Sequence, residues 1–133
     1  LFDVKDFNHP KELDTMVIGD ESHFAEVLEN HKALYVREED GGAMLGFFVE
    51  SWSQAGDAHR GARVFLITHN GIVSAGQIPA IVENEKTKAH LQAGGFRHIS
   101  RLCSIGNTLY YLDQGILRAF ALEGLAELDA LNL

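Results

Sequence analysis

The chain has 133 residues, 46% hydrophobic and 23% charged, which fits one globular domain able to bury roughly two thirds of its unfolded surface and excludes fibrous or disordered chains. Its single cysteine, Cys103, excludes an internal disulfide and Cys-rich zinc patterns, and no apolar run approaches the ~20 residues of a membrane span. The net charge of −8 is concentrated: residues 1–57 hold thirteen acidic side chains against four basic ones, the remainder six against seven. Such a field favours a basic partner and disfavours nucleic acid or an anionic membrane.

Residues 1–19 carry Pro10, mixed charge and no sustained periodicity, and read as an irregular arm that lies on the surface or adds an edge strand. From Asp20 the spacing of Phe24, Val27, Leu28 and His31 predicts an amphipathic helix ending near Lys32, with Asp20 as its cap. Residues 33–37 and 44–51 read as strands of a hairpin with an acidic tip, Glu38-Glu39-Asp40, and two glycines for the turn. Residues 52–61 read as a polar loop. Residues 63–69 and 72–76 flank Asn70-Gly71, the dipeptide of a type I′ turn.

Asn84 to Ala93 predicts a short helix stopped by Gly94-Gly95. A three-strand meander follows over 98–105, 108–113 and 116–120, with Gly106-Asn107 and Gln114-Gly115 at its turns. Leu122, Leu125, Leu128 and Leu131, every third residue, predict a helix laid on the core, against the cost of Gly124. The expected class is α+β: mainly antiparallel β-sheet, about seven strands in hairpins and a meander, with two or three short helices, in a single domain of residues 1–133.

The run Cys103-Ser104-Ile105-Gly106-Asn107-Thr108-Leu109-Tyr110-Tyr111-Leu112, followed by Gly115 and Arg118, resembles one blade of a β-propeller. The resemblance covers 96–122. A complete propeller takes about four blades or more, so a whole one is not expected in this length.

Candidate chemistry is sparse. Asp20, His23 and Glu26 share a helical spacing but fall short of the three or four convergent ligands of a metal site, so no metal or other cofactor is expected. Cys103 and His98 point to opposite faces of an extended strand, and the thiol reads as buried and inert. Ser74 lacks the glycine spacing of a nucleophile elbow. Arg97, Arg101 and Arg118 could form a basic stripe, too small for a nucleic-acid footprint. No catalytic residue is assigned, and an enzyme is not expected; the alternative is a small enzyme or ligand binder using His69, His90 or His98 in a sheet pocket.

What remains is surface. Glu38, Glu39, Asp40, Glu50 and Asp57 surround Trp52 in the sequence, and this set is the candidate partner-binding surface. Size, charge asymmetry and the lack of catalytic residues resemble the immunity proteins that neutralise bacterial toxins. That resemblance implies an acidic inhibitor occluding a basic protein partner, such as a nuclease toxin, in the cytoplasm. A structural or assembly subunit, marked by an exposed apolar patch or an unpaired sheet edge, is the other alternative.

Overall fold

The computed structural model describes residues 1–18, 22–52, 58–80 and 100–133. Among these the chain forms eleven strands and two 3-10 turns, with no α-helix. The strands are β1 (Phe2–Asp3), β2 (Lys11–Glu12), β3 (Ser22–Phe24), β4 (Tyr35–Glu39), β5 (Gly42–Trp52), β6 (Ala58–Thr68), β7 (Gly71–Pro79), β8 (Arg101–Ile105), β9 (Thr108–Asp113), β10 (Ile116–Ala121) and β11 (Glu127–Asn132). The expected α+β class is therefore corrected to nearly all-β. The antiparallel character of the sheets stands.

Both helices expected within the described residues are replaced for physical reasons. Residues 22–24 pair with Trp52, Ser51 and Glu50, where the long strand β5 runs past the end of β4 and offers free backbone groups. Beyond Phe24 the chain makes only the 3-10 turns Glu26–Leu28 and His31–Ala33, and Leu28 stays 75% exposed, so the three-and-four spacing marks no buried stripe. At the other end, Gly124 (φ 74°) and Leu125 (φ 52°) are consecutive left-handed residues, which no helix accommodates, and 127–132 then pairs along β10. A spacing of three places Leu128 and Leu131 on opposite faces of that strand. The expected helix at 84–93 lies outside the described residues.

Three antiparallel sheets result. β1 and β2 form a small ribbon. In the first large sheet, β5, β6 and β7 are a meander, and β3 and β4 lie end to end along the other edge of β5. The second large sheet is the meander β8-β9-β10-β11. The β4–β5 hairpin and the β8–β10 meander form as expected; β6, however, begins at Ala58, inside the expected loop.

The turn chemistry shifts as well. Thr68 pairs with Gly71, so the β6–β7 turn is His69-Asn70, and Asn70 does not take a positive φ. The Thr68 hydroxyl holds the Asn70 N–H at 3.1 Å, while the Asp14 carboxylate takes the Ile72 N–H at 2.7 Å. The type I′ signature falls instead at Gln114 (φ 52°) and Gly115 (φ 77°), between the paired residues Asp113 and Ile116.

The two large sheets pack face to face. Tyr35, Met44, Phe48, Ala62, Val64 and Ile78 from one meet Leu109, Tyr111 and Phe120 from the other. Gly46 leaves room for the second sheet: a β-carbon there would lie 2.8 Å from Leu102 Cδ1 across the seam, and 3.2 Å from Tyr35 Cδ1 on the paired strand. On the far face of the first sheet, Met16 and Ile18 of the amino-terminal arm line a cavity of about 160 Å³ together with Leu45, Phe47, Phe65, Ile67 and Ile72. No described helix is long and apolar enough to cross a membrane.

Candidate functional site

The inter-sheet seam ends differently on its two sides. At the β4–β5 turn it opens into a cleft of about 470 Å³. Its floor is Met44, Leu66, Ala75 and Leu122, and its mouth carries Glu39, Asp40 and Glu123. Asp40 and Gly41 form the turn, Gly41 at φ 82°; Glu123 and Gly124 form the turn that leaves β10. Both turns are acidic and both border the same apolar floor. Glu39 also pairs with Arg37 (Oε1–Nε, 3.0 Å), and Arg37 in turn donates to the Gly106 carbonyl at 2.6 Å, tying this end of the first sheet to the second.

The opposite end is closed and densely polar. Asp113 is 1% exposed and accepts from the Ser100 hydroxyl at 3.0 Å, with Arg60 Nη2 4.0 Å away. Arg60 also approaches Glu50 (3.5 Å), the Phe48 ring (5.5 Å) and the side-chain amide of Gln114. Arg118 lies over Phe120 at 4.8 Å, donates to the Pro79 carbonyl at 2.7 Å, and clamps Glu127 bidentately at 3.1 and 2.6 Å. That clamp holds the Glu127 carboxyl below its ordinary value. Burial, and then the nearby Asp113 charge, push the Tyr111 phenol far above its ordinary value, against smaller opposing effects of Ser100, Arg60 and Arg118. The Tyr111 hydroxyl and Asp113 Oδ2 are buried without a well-formed hydrogen bond among the described residues.

The predicted surface residues divide between these ends. Glu39 and Asp40 border the cleft. Glu38 is exposed opposite Ala43 and points to the other face of the sheet, because alternate residues of a strand face opposite ways. Glu50 lies eight residues along β5 from the turn, roughly 26 Å at ~3.3 Å per residue, and belongs to the polar end. Asp57 lies outside the described residues, as does the side chain of Trp52.

Sequence reasoning missed Glu123 and the apolar floor. The signal was present in Glu123-Gly124, an acidic turn pair directly after a strand, but the leucine spacing claimed that segment for a helix. Arg101 and Arg118 are on opposite faces of the second sheet and form no stripe: Arg101 is clamped by Glu26 at 2.8 and 2.9 Å. Cys103 is exposed, correcting the expected buried thiol. His69 is exposed on the β6–β7 turn; His90 and His98 lie outside the described residues. No group of three or more metal-ligating side chains converges among the described residues.

A four-stranded antiparallel layer stacked face to face on a five-stranded one, in which β3 and β4 share a single edge position, with a cleft at the rim of their seam, is the local architecture of adjacent propeller blades. The model of the family described as Beta propeller domain matches residues 1–125, and the chain belongs to that family. The blade resemblance read over 96–122 thus extends across most of the chain. No curated protein and no solved structure matches it.

Proposed function

We propose that the protein is a non-catalytic binding module that receives a basic segment of a protein partner at the rim of its inter-sheet seam. One observation carries this reading: the 470 Å³ cleft joins an apolar floor to three carboxylates on two converging turns. Its volume lies in the usual range for binding pockets, and an apolar floor with a few charged groups at the mouth gives both burial and orientation. The net charge of −8 adds long-range steering of a cationic partner. In the narrower, inhibitory form of the proposal the partner is a nuclease-like toxin, and Glu39, Asp40 and Glu123 occupy the positions its substrate phosphates would take. Charge and size support that form, and the same end of the molecule serves it.

The test is titration with a labelled peptide of alternating leucine and lysine, read by fluorescence anisotropy at low and at physiological salt. Asp40→Lys with Glu123→Lys is expected to weaken binding at least about tenfold, whereas the charge-matched control Glu12→Lys with Glu29→Lys, remote from the cleft, weakens it far less. Equal losses in both double variants would reduce the effect to overall charge and overturn the site.

A further inference from the structure

Five arginines lie among the described residues, and four of them hold a carboxylate: Arg37 with Glu39, Arg60 with Glu50, Arg101 with Glu26 and Arg118 with Glu127. Arg63 makes no ion pair and no side-chain hydrogen bond among the described residues, in a chain whose net charge is −8. Its side chain is half-buried, and its Nε is buried without a partner. An arginine can lay its stem on apolar surface and keep its head in water. Here part of the head itself is inside, and a charge drawn out of water is costly until something pairs with it.

The strand register places Arg63 beside an apolar space. Ala62 and Val64 face the inter-sheet core, so by alternation Arg63 and Phe65 face the other side of the first sheet. Arg63 lies directly opposite Phe47 on β5 and Gln77 on β7, and side chains so paired on one face stand ~5 Å apart at their β-carbons. The neighbouring β5–β6 pairs on that face are Leu45–Phe65 and Val49–Gly61, which bring no acid. Phe47 is a wall of two adjoining cavities, the one of about 160 Å³ that it shares with Phe65 and one of about 200 Å³ that it shares with Ala25, Val27 and Val49. Met16 and Ile18 of the arm belong to both, and every side chain lining either one is apolar. The space thus lies between two parts of one chain, and apolar cavities near ~150 Å³ stay dry and take up small apolar molecules.

We propose that the space between the arm and the far face of the first sheet binds a small carboxylate with an apolar tail, of the fatty-acid class. The tail lies under Met16 and Ile18 against Phe47 and its neighbours, and the carboxylate pairs with the Arg63 guanidinium. Charge selects this occupant: arginine is cationic at any ordinary pH, its planar fork matches a carboxylate, and the adjoining walls accept only hydrocarbon. Uptake would remove apolar surface from water and give Arg63 the partner that the other four arginines already have. This site takes an anion where the acidic cleft takes a cation, on the opposite side of the sheet, so failure of either proposal leaves the other standing.

The test is isothermal titration calorimetry of the full chain with octanoate, and with octanol and octylammonium as probes that keep the tail and change the head. Octanoate is expected to bind saturably, and octanol and octylammonium at least about tenfold more weakly, the factor that a hydrogen-bonded charge typically supplies. Arg63→Met keeps an apolar stem and drops the charge; it is expected to lower octanoate affinity about tenfold and to leave octanol affinity unchanged. Met16→Trp fills the space from a position 37% exposed, and is expected to weaken octanoate and octanol alike with the circular dichroism of the wild type. No saturable binding of octanoate to the wild type overturns the proposal. So does an Arg63→Met variant that binds octanoate as the wild type does. Equal affinity for octylammonium and octanoate, read on the wild type and so independent of how any variant folds, overturns it as well.

Discussion

The two ends of the inter-sheet seam hold similar side chains and treat them oppositely. At the polar end Asp113 and Arg118 are buried and Arg60 half-buried, and all three are engaged: Asp113 with Ser100, Arg118 with Glu127 and Pro79, Arg60 over Phe48. At the other end, Asp40 and Glu123 stand in solvent above a floor of Met44, Leu66, Ala75 and Leu122. Buried charge is costly unless paired and hydrogen-bonded, so the first end is committed to holding the sheets together. Exposed carboxylates contribute little to folding and remain available to another molecule. One seam thus separates cohesion from recognition along its length.

The sharpest way to break this comparison is Asp113→Ala. Removing a carboxylate 1% exposed strands the Ser100 hydroxyl and unbalances Arg60, and a loss of about 3 kcal/mol is expected in urea unfolding. A loss below about 1 kcal/mol would mean that the cluster does not bind the sheets.

A smaller effect is expected from acid. Arg118 lowers the Glu127 carboxyl's folded value, so this pair stabilises the fold above the unfolded glutamate value near ~4.3 and its contribution disappears as pH falls through the lower folded value. Glu127 is 44% exposed, and solvent screening keeps the effect modest. Arg118→Met is expected to bring the Glu127 titration, followed by NMR, back up towards the ordinary range. No change on substitution would detach Glu127 from the polar end.

The smallest effect is expected where binding should suffer most. Asp40→Lys with Glu123→Lys is expected to leave unfolding free energy within ~0.5 kcal/mol of wild type. A large destabilisation would show that the acidic turns also hold the fold and would blur the contrast.

The sequence disclosed pairing better than it disclosed class. Alternation and turn dipeptides located the β4–β5 hairpin and the β8–β10 meander, because there the local signal and the backbone ladder agree. It failed where a strand is recruited by an edge and not by its own pattern. Residues 22–24 pair because β5 overruns β4, and 127–132 because β10 has a free edge; neither fact is local. Leucines three apart fit a helix by counting, and only the two left-handed residues Gly124 and Leu125 forbid it.

The candidate site was half legible for the same reason. Glu39 and Asp40 are announced by the hairpin tip. Their neighbour Glu123 is more than eighty residues away in the chain and arrives only through the packing of two sheets. Glu38 and Glu50, grouped with them by proximity in sequence, are removed by alternation and by strand length.

Among the described residues no backbone ladder joins the two large sheets. Polar contacts across the seam run through side chains: Tyr35 to Ser104, Arg37 to Gly106, Arg60 to Asp113, Arg118 to Pro79. Each sheet is therefore a self-contained hydrogen-bonded unit, built chiefly from strands that follow one another in the chain. Such units open as separate cooperative blocks in amide exchange, and each can assemble early from local loop closures before the other is in place. A meander of this kind can be copied, lost or exchanged whole, since its removal severs side-chain contacts and leaves the ladder of its neighbour intact.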